Sequence, residues 1–67
     1  MKYNLKALRG LKDLSQAEAA QLVGVSEYKW RNWEHAKSFP DVPEIQAIEK
    51  AFNVSYDDII FLPKVTV

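Results

Sequence analysis

Residues 15–34 read SQAEAAQLVGVSEYKWRNWE, and the fold of the whole chain turns on how this stretch is parsed. Ser15 and Glu18 have the S-x-x-E spacing of a capping box, in which a hydroxyl and a carboxylate satisfy backbone N–H groups left free at a helix start. A helix is therefore expected from Gln16. Ala19, Ala20 and Val23 form its apolar side, where small residues let another helix come close. Gly24 stops it, because glycine enters the left-handed conformation without a Cβ penalty, and Val25 supplies the apolar contact that accompanies such ends. Ser26 is a favoured N-cap, so a second helix is expected from Glu27 to Glu34.

That second helix has two unlike faces. At about 100° per residue from Tyr28, Trp33 falls at about 140° and Trp30 at about 200°, so the tryptophans share one side. Tyr28, Arg31 and Asn32 occupy the other, flanked by Glu27 and Lys29. The first side is expected to be core. The second carries hydrogen-bonding and cationic groups of the kinds that read base edges and phosphates, or else is an ordinary solvated face.

With these residues in view, the stretch resembles the helix-turn-helix of the Cro/C1-type repressors, the XRE family of phage and bacterial transcription regulators. The likeness covers nearly the whole chain: LKALRGLKDL is similar to the family's first helix, and a later helix followed by NVSYDDII is similar to its last two. The S-Q start, the G-V-S turn, the W-E ending and the N-V-S-x-D-D close fall in order at family spacing. Three positions depart from the pattern. Ala19 replaces a larger aliphatic, Trp30 replaces Ile or Val, and His35-Ala36 replaces Asn-Gly or Arg-Gly.

Outward from the motif, the chain of 67 residues makes one domain, and a core this small rarely supplies more than about 3–5 kcal/mol without staples. It has no cysteine, so neither disulfides nor a thiolate metal site contribute. No apolar run approaches membrane-spanning length and no signal-peptide pattern is present, so a soluble cytosolic protein is the expectation, and the resemblance implies the cytoplasm of a bacterial or phage-infected cell. The net charge is zero, which is unusual for affinity that rests on cations meeting phosphates. The charge is polarised, however. Residues 1–37 hold seven Lys or Arg against four acids, and residues 38–67 hold two against five, so a basic end toward DNA is one reading and chance is the other.

Leu5, Leu8 and Leu11 predict an amphipathic first helix capped by Asn4 and ending before Asp13. HAKSFPDVPE, residues 35–44, is a loop by its prolines, with Phe39 read as a core plug. Asp41 or Val42 precedes a helix with Pro43 in its first turn, and Ile45, Ile48, Ala51 and Phe52 share its core face. Asn53 suits its left-handed end, and Ser55 with Asp58 repeats the capping-box spacing for a last short helix carrying Ile59 and Ile60. The apolar tail Phe61 to Val67 either packs on its own domain or pairs as a strand with a second copy.

These readings combine into an all-α, compact five-helix bundle of the lambda-repressor-like type, with the domain at 1–62 and a short tail at 63–67. The resemblance implies a sequence-specific regulator, a repressor by family habit, that places helix 27–34 in the major groove of double-stranded DNA. Glu27, Tyr28, Lys29 and Asn32 are then the candidates for base contacts. Arg9, Gln16, Ser26, Arg31, Lys37 and Ser38 are the candidates for phosphate contacts, although Arg31 also suits a pair with Glu27 and Arg9 a pair with some other acid. A site this small implies a homodimer on an inverted repeat. No catalytic group, metal, cofactor or small-molecule ligand is indicated: there is one histidine, His35, and Asp57 and Asp58 point about 100° apart on a helix. Two other classes stay open, a helix-turn-helix that binds another regulator instead of DNA and a domain kept for oligomerisation.

Overall fold

A computed structural model describes residues 2–61. Strand β1 (Tyr3–Asn4) leads into α1 (Leu5–Leu11), α2 (Gln16–Val23), α3 (Glu27–Glu34) and α4 (Val42–Phe52). A single 3-10 turn, Tyr56–Asp58, then leads to strand β2 (Ile59–Ile60). The 63–67 tail lies outside the described residues.

Each helix starts where a side chain meets its free N–H groups. Asn4 Oδ1 accepts from Ala7 N–H at 2.7 Å. Ser15 and Glu18 form the expected capping box, at 3.1 and 2.8 Å. The Ser26 hydroxyl accepts from Lys29 N–H at 3.1 Å. Asp41 caps α4 and forms a second capping box with Glu44, both bonds at 2.9 Å. The helices also end alike. Leu14, Val25, Lys37 and Val54 each donate a backbone N–H to the carbonyl five residues back, on Arg9, Ala20, Asn32 and Glu49. The residue before each donor, namely Asp13, Gly24, Ala36 and Asn53, has positive φ. This is the Schellman ending.

Ala36 is the misfit in that set. Its φ of 58° lies where a Cβ crowds the carbonyl, costing about 1–2 kcal/mol, and alanine, unlike the Asp and Asn types found at positions 13 and 53, does not visit this region routinely. Ala36→Gly is therefore expected to stabilise the fold by about 0.5–1 kcal/mol after the extra freedom of glycine in the unfolded chain is subtracted. Thermal unfolding followed by circular dichroism should show a midpoint about 3–6 °C higher. An unchanged or lower midpoint would mean that the loop is not held in this conformation.

The core is Leu5, Leu8, Ala19, Ala20, Trp30, Trp33, Ile48, Phe52 and Ile59. α2, with Ala19 and Ala20 buried, packs closely on α3, and Trp30 is wholly buried in the same cluster. Its ring lies 5.9 Å from Trp33 and 6.0 Å from Phe52, the tilted geometry that aromatic pairs prefer. Leu14, Val25 and Val54, the residues just past three of the helix ends, pack onto this cluster as apolar contacts.

Three expectations fail. Leu11, read with Leu5 and Leu8 as the apolar side of the first helix, is 63 % exposed. The chain has four α-helices among the described residues, not five. At the expected fifth, the Ser55 hydroxyl donates to Asp58 Oδ2 at 2.9 Å instead of accepting a helix N–H. Asp58 N–H closes a one-turn bond to Ser55 O at 2.9 Å, and β-branched Ile59 and Ile60 then run extended, paired in parallel with Tyr3 and Asn4. Phe39 does not plug the core either. It is 48 % exposed, while the adjacent Pro40 is buried in its place.

Candidate nucleic-acid interface

Glu34 closes α3, where the helix dipole is unfavourable to an anion, and its carboxylate is only 5 % exposed. Four donors hold it. Arg9 approaches through Nε at 2.7 Å and Nη2 at 3.2 Å, Gln16 through Nε2 at 3.2 Å, and Trp30 through its indole N–H at 2.5 Å. Arg9 Nη1 also donates to Leu14 O at 3.1 Å. One carboxylate thus ties α1 and the start of α2 to the end of α3, with Arg9 reaching on to the α1–α2 loop, and it fixes the roll of α3 about its axis. Burial alone would raise the Glu34 pKa, but the hydrogen bonds from Arg9, Gln16 and Trp30 outweigh it and hold the carboxyl below the ordinary glutamate range.

With the tryptophan face locked inward, the other side of α3 is turned to solvent. Glu27, Tyr28, Lys29 and Arg31 are exposed, Tyr28 by 71 %, and Asn32 is half-buried. These residues are brought together as one strip on one helix. Its charges are internally matched: Arg31 Nη2 meets Glu27 Oε2 at 3.1 Å, and Lys29 Nζ meets Glu44 Oε2, at the start of α4, at 2.5 Å. The Ser26 hydroxyl is engaged as the cap of α3. Lys37 and Ser38 are exposed in the following loop, and Lys37 makes no ion pair among the described residues. Lys37 also breaks a pattern: at the three other helix ends the equivalent residue is an apolar one folded inward.

Arg9 and Gln16 sit apart from the strip, in the Glu34 cluster. A phosphate contact from either must use the donors left over, one N–H on each terminal Arg9 nitrogen and one on Gln16 Nε2. Sequence reasoning missed Glu34 as the anchor. The available signal was an acid in the last turn of a helix, where it needs a partner to be tolerated. It also missed the Lys29–Glu44 pair, which joins segments fifteen positions apart and leaves no local trace.

No helix of the described residues is long and apolar enough to cross a membrane, and no cluster of three or more metal-type side chains occurs among them. Comparison with known proteins places residues 4–59 in the family described as "Helix-turn-helix domain". The chain is 40 % identical over 57 residues to the antitoxin PezA of Streptococcus pneumoniae, covering 85 % of this chain and 36 % of that protein. It is 32 % identical over 62 residues to the HTH-type transcriptional activator BcrR of Enterococcus faecalis, covering 90 % of this chain and 30 % of that protein. The chain therefore spans about a third of the length of these curated relatives. No solved structure matches it with comparable significance. The matched family, the two relatives and the α2–turn–α3 geometry agree: the chain belongs to the helix-turn-helix domain family, in the XRE-like group typical of transcriptional regulators.

Proposed function

We propose that this chain is the DNA-binding unit of a transcriptional regulator and that it places α3 in the major groove of double-stranded DNA. One observation carries the reading. The buried Trp30 and Trp33 anchor α3 from behind, so that Glu27, Tyr28, Lys29, Arg31 and Asn32 are offered together from a rigid helix, with no core role for the four exposed ones. In this reading Asn32 suits adenine, Lys29 guanine acceptors, Glu27 the amino group of cytosine, and Tyr28 a thymine methyl. Arg31 and the loop residues Lys37 and Ser38 supply phosphate contacts that set register, joined by the donors left over on Arg9 and Gln16; Ser26, engaged as a cap, contributes its backbone end of the helix. The work is binding, not catalysis, and the setting is the bacterial cytoplasm.

The finer form of the reading is a repressor acting as a homodimer on an inverted repeat, with half-sites about one helical turn apart. A groove lined by apolar side chains such as Phe39, Ile45, Ile60 and Phe61, with Lys2 and Asp57 also in its wall, is the feature that supports this form of the reading. The likeness to a protein named an antitoxin favours a second reading, in which the domain also holds another protein.

The test is selection from a random duplex pool at fixed moderate salt, run beside a Tyr28→Ala, Asn32→Ala double variant. The wild type is expected to enrich a palindromic site, and the variant to lose at least about tenfold in affinity for it, as loss of one good base contact is worth about 1–3 kcal/mol. Absence of enrichment across a range of salt would move the assignment to the protein-binding reading.

A further inference from the structure

We infer that Glu44 is an intramolecular competitor for DNA at Lys29, holding the lysine of α3 against the start of α4 and so limiting how tightly α3 grips a duplex. The inference rests on the reading of α3 as the DNA-contacting helix.

The geometry makes Glu44 a fixed acceptor and not a passing surface partner. Its Oε1 accepts from Asp41 N–H at 2.9 Å, and its own N–H donates to Asp41 Oδ1 at 2.9 Å, so the capping box of α4 sets the carboxylate in place whether or not a lysine is near. The second oxygen, Oε2, is left facing α3, and Lys29 Nζ meets it at 2.5 Å. Lys29 is half exposed and Glu44 largely covered, so the mobile member of the pair is the lysine. Its flexible stem can swing to another acceptor while the carboxylate stays. The pair joins the acidic second half of the chain to the recognition helix, and with Arg31 matched to Glu27 it leaves neither cation of α3 without a carboxylate. A phosphate or a guanine must therefore displace Glu44 before Lys29 contributes to binding.

Glu44→Gln tests this, because glutamine keeps an oxygen for the Asp41 N–H and so keeps the capping box while removing the charge. Affinity for a fluorescein-labelled mixed-sequence duplex is measured by anisotropy across a salt series for the wild type, Glu44→Gln, Lys29→Ala and the double variant. Glu44→Gln should bind about two- to fivefold tighter, the range expected from releasing one exposed ion pair, with a salt slope steeper by about one ion. On the Lys29→Ala background the same change should have no effect. Equal tightening with and without Lys29 would show mere repulsion between Glu44 and DNA and would overturn the competition. So would wild-type and Glu44→Gln proteins that bind with equal affinity. If neither binds DNA at any salt, the reading of α3 itself fails, and that outcome is distinct from the other two. Binding by Glu44→Gln where the wild type shows none would be the strongest support.

Discussion

Trp30→Ala is expected to leave the protein without a cooperative fold at room temperature. Trp30 is fully buried, packs on Trp33 and Phe52, and gives its indole N–H to Glu34. Truncating a buried tryptophan costs about 3–5 kcal/mol in lost transfer energy and residual cavity. A 67-residue chain without cysteine has about that much stability in total. The site is badly placed to collapse, because Ala19 and Ala20 of the same core cluster have only a methyl group each with which to follow the void. Trp30→Phe separates the two contributions: it keeps most of the ring, loses the indole donor, and should stay folded with a loss of about 1–2 kcal/mol. Urea titrations of both variants decide the matter. A Trp30→Ala protein that unfolds cooperatively within about 1 kcal/mol of the wild type would show that α3 is not hung on this residue.

The second large effect is at Glu34. Glu34→Ala strips a common acceptor from Arg9, Gln16 and Trp30 and leaves the Arg9 guanidinium poorly matched beside the core, for an expected loss of about 3 kcal/mol. Glu34→Gln should fare little better despite equal volume, since its amide turns an N–H group toward a site already crowded with donors. Pairing Glu34→Leu with Arg9→Met should recover much of the loss, because breaking a covered ion pair is worse than removing both members. The same carboxylate gives stability a pH dependence. Its folded pKa is depressed, so in acid the unfolded chain takes up its proton first. The stabilisation is whole above the ordinary glutamate value of about 4.3 and drains away as pH falls through the lower folded value. Denaturation profiles should therefore show an acid limb that is shallower in Glu34→Gln. Parallel limbs would assign the acid sensitivity to other carboxyls.

The helix starts and stops were legible because the side chains that decide them lie within a few residues of one another. Ser15 with Glu18, Gly24, Ser26 and Asn53 each act on backbone groups next door, and a short window of sequence contains the whole interaction. The inward and outward sides of α3 were legible for the same reason, since helical spacing alone puts Trp30 and Trp33 together. The β1–β2 ladder was hidden because two residues carry no periodicity, and Ser55 to Asp58 imitates a helix start that the next two isoleucines do not continue. Phe39 misled because its size argues for burial, while the folded loop buries Pro40 beside it instead. Within the candidate interface, the residue types on α3 could be read directly. What engages them could not: Glu34 and Glu44 act on side chains that only the folded chain brings near.

The parallel pairing of Tyr3 with Ile59 and Asn4 with Ile60 has a mechanical consequence. Lys2 enters at one end of this short ladder and Phe61 leaves at the other, so a pull on the two flanks slides one strand lengthwise past its neighbour. The ladder's hydrogen bonds are then strained together, in shear, and do not open one after another as in a zipper. Tension arriving through the flanks would meet this clasp before it reached α2 and α3, and the orientation of the exposed strip would be insulated from whatever tugs at either side.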